Sequence, residues 1–160
     1  YQYGGKASFL VLGSGNPYVE SALSDMNKTL KGFVNTYIGY SESLSHLIYA
    51  GSDFILMPSR VEPCGLNQLY ALRYGTVPIV RNIGGLKDTV TDYGAPGGFG
   101  ITMEQSSVGD IAYSVGRAID LYENKPGQLG EIVQQIMDID HSWTSSAKKY
   151  IELYESVKQP

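Results

Sequence analysis

The sequence predicts an α/β fold, a Rossmann-like parallel sheet with helices on both faces. Two observations carry this. Short apolar runs alternate with segments of helical period as far as residue 102, with brief connections between them. The run Phe54-Ile55-Leu56-Met57 is continuously apolar rather than alternating, as strands covered on both faces are.

The first strand is expected at residues 8–12, followed by Gly13-Ser14-Gly15-Asn16-Pro17. That reads as a tight turn and a helix with proline near its first turn. Val19, Ala22, Leu23 and Met26 share one face of this helix, and Gly32 stops it. Residues 33–40 read as the second strand. A short helix at 43–50 places Leu44, Leu47 and Ile48 on one side, with Gly51 expected as its C-cap. The third strand is 54–57. A helix at 66–74 follows, closed by Gly75, and then a fourth strand at 77–80. Gly84 and Gly85 are expected to open a turn, and 99–102 is the fifth strand. Three helices complete the chain, at 108–124, 127–138 and 142–157. The loop 92–98, with Gly94-Ala95-Pro96-Gly97-Gly98, is rich in breakers and is expected to be a mobile lid or an insertion site.

With 160 residues, the chain suits one domain. Apolar residues make up 42% and charged residues 18%, the balance of an ordinary globular protein rather than a disordered one. The net charge of −4 offers no basic face for a phosphate backbone, which argues against nucleic acid as a partner. The one cysteine, Cys64, cannot form a disulfide within the chain, so a reducing compartment is expected, the cytoplasm or, in a plant, the plastid stroma. No run reaches the ~20 apolar residues of a membrane span, and the opening residues lack a signal-like pattern.

In a doubly wound sheet, ligands bind beyond the carboxyl ends of the strands. The loops that matter are therefore 13–17, 39–45, 58–67 and 81–86. The richest is Pro58-Ser59-Arg60-Val61-Glu62-Pro63-Cys64-Gly65-Leu66-Asn67. It ends on a helix N-terminus, where free N–H groups favour anions and sugar hydroxyls. The small residues Cys64 and Gly65 let backbone amides approach a ligand closely. A carboxylate beside such donors, Glu62, accepts from hydroxyls while the amides donate. On spacing alone, Glu62 equally suits a solvated loop residue or a partner of Arg60. Cys64 reads as packing rather than as a nucleophile. His46 and His141 stand far apart with no metal-ligand spacing, so no metal and no cofactor are expected. His46 reads as a hydrogen-bonded structural residue and His141 as a helix-entry residue. Gly13-Ser14-Gly15 lacks the spacing of a dinucleotide fingerprint. Gly84-Gly85 is a possible phosphate-facing turn.

Several ordered segments resemble the glycogen and starch synthases. Gly39-Tyr40-Ser41-Glu42-Ser43-Leu44-Ser45-His46 is similar to their adenosine-side loop, and residues 58–70 to their donor-sugar segment. Residues 73–81, Gly84-Gly85-Leu86-Lys87-Asp88-Thr89-Val90, Ser142-Trp143 and 150–154 continue the match in the same order. The resemblance implies the C-terminal, nucleotide-sugar-binding half of a GT-B fold, with the domain's first strand and helix, an Arg/Lys loop and the acceptor domain lying before Tyr1. It implies retaining transfer of glucose from ADP-glucose to the non-reducing end of an α-1,4-glucan, without a metal. Glu62 would lie beside the transferred glucose, Cys64, Gly65, Leu66 and Asn67 would hold the sugar and distal phosphate, and Tyr40 would pack on adenine. Asn67 and Ile83 each replace a threonine usual in the family, and Ile83 removes a hydroxyl near the diphosphate. The 160 residues alone are expected not to catalyse transfer. Two other readings stand beside this one: a UDP-glucose-dependent GT-B enzyme, and a non-catalytic nucleotide-sugar or glucan-binding module.

Overall fold

The structure, a computed structural model, describes residues 5–158. Five strands and seven helices alternate in chain order: β1 (Phe9–Gly13), α1 (Pro17–Thr29), β2 (Val34–Ile38), α2 (Glu42–Gly51), β3 (Phe54–Met57), α3 (Asn67–Tyr74), β4 (Val77–Arg81), α4 (Gly84–Thr89), β5 (Ile101–Met103), α5 (Val108–Asn124), α6 (Pro126–Asp138) and α7 (Trp143–Val157). Every strand pairing is parallel. The expected single sheet is instead two: β1-β2, and β3-β4-β5.

Local chemistry explains most element ends. Asn16 caps α1 through its side chain, with Pro17 at the first helical position, where a missing N–H costs nothing. Ser41, Ser107 and Ser142 cap α2, α5 and α7 in the same way. Gly75 closes α3 in the left-handed conformation, as expected. Gly51 does not cap α2. It is the last helical residue, and the chain leaves through extended Ser52. The helix needs no left-handed exit there, because it runs straight into β3.

The core lies under the three-stranded sheet. β4 is its central strand, buried from Val77 to Val80. Pro78 sits one step before the β4–β5 register begins at Ile79 and Ile101, so its missing N–H removes no ladder bond. Met57, Leu72, Val77, Val80, Leu86, Leu121, Ile132 and Ile136 form the larger cluster, which joins β3 and β4 to α3, α4, α5 and α6. Thr76 anchors the α3–β4 turn by donating from its Oγ1 to the carbonyls of Tyr49 and Ser52. In α1 and α7 no residue is buried.

The loop at 92–98 is not a lid. The Asp92 carboxylate accepts from the N–H groups of Gly94 (3.0 Å) and Thr102 (2.9 Å), and from both terminal nitrogens of Arg117 (2.8 and 2.7 Å). Gln135 donates to the Gly97 carbonyl at 2.8 Å. Burial alone would push the Asp92 carboxyl up. These hydrogen bonds outweigh it and hold the group well below the usual carboxylate range. The Asp92 bonds also raise the Arg117 guanidinium above its ordinary value. The guanidinium lies 4.7 Å from the centre of the Tyr93 ring. Turn residues that read as breakers in the sequence are thus pinned from α5 and α6.

Candidate functional site

The segment 58–66 leaves β3 at its carboxyl end and enters α3. Its Glu62 is half-buried, and the carboxylate accepts from the Ser59 hydroxyl at 3.2 Å. Among the described residues no ion pair joins it to Arg60, so of the two bland readings of Glu62 the ion pair fails. Cys64, Leu66 and Asn67 are exposed, and Gly65 is half-buried. Gly65 has φ +74°, a conformation open to glycine and strained for other residues. No side chain caps α3 at Leu66, and the first intrahelical N–H to find a carbonyl is that of Tyr70. The N–H groups of Asn67, Gln68 and Leu69 are left without intrahelical partners. The site therefore combines a carboxylate acceptor with main-chain donors carrying the positive end of the helix dipole. That combination suits a polyhydroxylated, anionic ligand.

Three braces fix this loop, and sequence reasoning named none of them as such. Arg81, at the exit of β4, donates from Nη1 to the carbonyls of Arg60 (2.9 Å) and Ser59 (3.4 Å), and from Nε to that of Glu104 (3.2 Å). A rigid planar fork can tie together three carbonyls from two loops in this way. Gln68 is fully buried. Its Nε2 donates to the carbonyls of Gly65 (3.0 Å) and Cys64 (3.3 Å) and to Thr89 Oγ1 (3.2 Å). Thr89 in turn donates to the Gly85 carbonyl at 2.6 Å.

The third brace corrects the reading of Gly84-Gly85. These residues do not form a separate turn. They begin α4 and lie against the backbone of the Glu62 loop. The Gly85 N–H donates to the Glu62 carbonyl at 3.2 Å. A Cβ on Gly84 would overlap the Glu62 carbonyl oxygen, and one on Gly85 the Cys64 carbonyl oxygen. Both positions need hydrogen in place of a side chain because two main chains pass in contact there. Asp88 and Thr89 belong to α4.

Tyr40 stands in the β2–α2 connection, at the carboxyl end of β2, with 85% of its surface exposed. Its ring is free to receive a planar group. His46 bonds through Nδ1 to the Tyr74 hydroxyl at 3.0 Å and packs among Tyr49, Tyr70 and Tyr74. That is the structural role expected of it. Burial, and then the neighbouring Tyr70, push the Tyr49 hydroxyl up. His141 directly precedes the Ser142 cap of α7. No helix among the described residues is long and apolar enough to cross a membrane.

Residues 5–135 match the family described as Glycosyl transferases group 1. This chain belongs to that family. It is 55% identical over 152 residues to a glycogen synthase of Flavobacterium johnsoniae, covering 95% of this chain and 32% of the relative. A glycogen synthase of Rhodospirillum rubrum is 44% identical over 154 residues, 96% of this chain and 32% of the relative. Among solved structures, the catalytic domain of starch synthase IV from Arabidopsis thaliana, bound to ADP and acarbose, superposes with a TM-score of 0.83 at 36% identity. That match covers 93% of this chain and 32% of the solved one. A sucrose-phosphate synthase from Thermosynechococcus elongatus shares the fold, with a TM-score of 0.65 at 22% identity, over 92% of this chain and 38% of that one. The fold is thus that of the GT-B glycosyltransferases. The chain spans about a third of the length of the glycogen synthases it resembles.

Proposed function

We propose that these residues form the donor-binding domain of a retaining glucosyltransferase that moves glucose from ADP-glucose to the non-reducing end of an α-1,4-glucan. The observation that carries this reading is the braced loop between β3 and α3. It holds a half-exposed carboxylate, Glu62, beside the uncapped N-terminus of α3. The similarity to glycogen synthases and to an ADP-bound starch synthase supports the same reading.

On this reading the donor lies across the carboxyl ends of the strands. The distal phosphate and the sugar meet the main-chain donors at Cys64, Gly65, Leu66 and Asn67. Glu62 accepts from sugar hydroxyls and stabilises positive charge developing at the anomeric carbon. Its value lies in being fixed before the charge appears, and the bonds from Arg81, Gln68 and Gly85 to the loop's carbonyls do the fixing. Adenine stacks on the open face of Tyr40. The glucan is bound by the remainder of the longer polypeptide, so the 160 residues by themselves are inactive.

The test uses that longer polypeptide, radiolabelled ADP-glucose and a glycogen primer. Glu62→Ala is expected to lower kcat by on the order of 100-fold or more while leaving the melting temperature within a degree or two. Turnover retained within a factor of a few would remove Glu62 from the chemistry. Unlabelled UDP-glucose is expected to compete poorly. Equal competition would replace ADP-glucose by UDP-glucose as the donor.

A further inference from the structure

Gln68 lies in the first turn of α3, fully buried. Its Nε2 has three acceptors within reach: the carbonyls of Gly65 and Cys64, and the Thr89 hydroxyl oxygen. The Thr89 hydroxyl gives its own proton to the Gly85 carbonyl, so toward Gln68 it can only accept. The other end of the amide is bare. Gln68 Oε1 is buried and meets no hydrogen-bond donor among the described residues. Exchanging the oxygen and nitrogen of the amide would not relieve it, because the oxygen would then face three acceptors. A buried acceptor without a partner costs free energy, and an apolar side chain of similar shape would avoid that cost. What distinguishes glutamine at this position is therefore its two N–H donors.

The two carbonyls that Gln68 holds belong to the loop between β3 and α3. In a trans peptide the C=O and the N–H that follows it point in opposite directions, and none of the described peptide bonds is cis. Drawing the Cys64 carbonyl toward the buried amide turns the Gly65 N–H away from it. Drawing in the Gly65 carbonyl does the same for the Leu66 N–H. Neither N–H has an acceptor among the described residues. They lengthen the row of free donors that begins α3. Gly65 admits this arrangement because it has no side chain: a Cβ there would run into the Gln68 amide.

We infer that Gln68 is a positioning residue for the nucleotide-sugar donor. Its amide turns two carbonyls of the loop inward, and so presents the Gly65 and Leu66 N–H groups to the sugar and the distal phosphate. Gln68 itself touches neither. The inference rests on the donor reading above and deepens it: the polarity of the loop, donors out and acceptors in, is imposed from beneath by one buried side chain. Donors fixed in place before the ligand arrives need no rearrangement when charge develops.

The experiment is steady-state glucosyl transfer by the full-length polypeptide with a glycogen primer, at varied donor and varied primer, from pH ~5.5 to pH ~8. Thermal melts check each variant. Gln68→Met keeps length and volume and removes both donors. It is expected to lower kcat/KM for the donor by on the order of tenfold or more at every pH, with KM for glycogen unchanged. Gln68→Glu is expected to lower it by on the order of 100-fold near pH ~8. That deficit narrows in acid, because a protonated glutamic acid regains one O–H to donate. A Gln68→Met protein within about twofold of the unsubstituted one would make Gln68 a space-filling residue and overturn the inference. A loss that falls equally on KM for glycogen would overturn it too, as would a Gln68→Glu deficit that stays level with pH in a folded protein. Should Gln68→Glu not fold, the Gln68→Met comparison decides. An unsubstituted polypeptide that transfers glucose from neither ADP-glucose nor UDP-glucose would overturn the donor reading, and this inference with it. One that transfers glucose and is indifferent to Gln68→Met would overturn this inference alone.

Discussion

The β1–α1–β2 unit and the β3–α3–β4 unit are built alike, each two parallel strands joined by a helix, yet they differ in burial. In the second unit Met57, Ala71, Leu72, Val77, Ile79 and Val80 are buried. In the first, only Val34 is, and Leu10, Val19 and Met26 remain exposed. The difference is not in the sequence pattern, since both helices carry apolar faces. It lies in the neighbours. β4 has a strand on each side, with α3 and α6 packed onto it. β1 has a strand on one side only. A strand–helix–strand unit is a component, and its burial is set by what flanks it.

The sharpest way to break this comparison is a pair of truncations in the 160-residue chain. Leu72→Ala is expected to cost about 2–5 kcal/mol in urea unfolding, because Leu72 is fully buried in the main cluster. Leu10→Ala is expected to cost under about 1 kcal/mol, since half its surface is already wet. Equal losses would mean that the two units are equally packed. A smaller effect comes from Gly85→Ala, about 1–3 kcal/mol, because the added methyl meets the Cys64 carbonyl. The same unfolding assay reads it. A neutral result would show that α4 and the Glu62 loop separate freely. Asp92→Asn is expected to cost about 1.5–2 kcal/mol near neutral pH, from the loss of charged hydrogen bonds to Arg117. Its sign with pH is set by the lowered folded-state value. The contribution is complete above the unfolded aspartate range, near pH ~4, and fades as pH falls below it. Thermal melts of the two proteins should therefore converge in acid. A gap that stays constant down to pH ~2 would show that Asp92 is not the titrating group.

The strand–helix alternation was legible because burial writes itself into period and composition. All five strands and the six helices expected lie where apolar runs and breakers place them, to within a few residues. The short helix α4 was not legible, because two glycines at its start mimic a turn. The division of the sheet was not legible either, since pairing between strands leaves no local trace. At the site, Glu62, Cys64, Gly65, Leu66 and Asn67 came from one contiguous loop and can be read together. Arg81, Gln68 and Thr89 act on that loop through its main-chain carbonyls, or through one another. Carbonyls carry no side-chain signature. Gln68 was the one with a hint, an amide three and four residues beyond Gly65 and Cys64, within reach of their carbonyls across one helical turn.

The thiol of Cys64 is exposed, and no other cysteine occurs in these 160 residues. A maleimide dye or nitroxide directed at this stretch of the protein will therefore settle at a single address, two residues from the acid. A reporter placed there sits in the loop assigned to the sugar, and its colour or spectrum can register arrivals and departures without any radioactive donor.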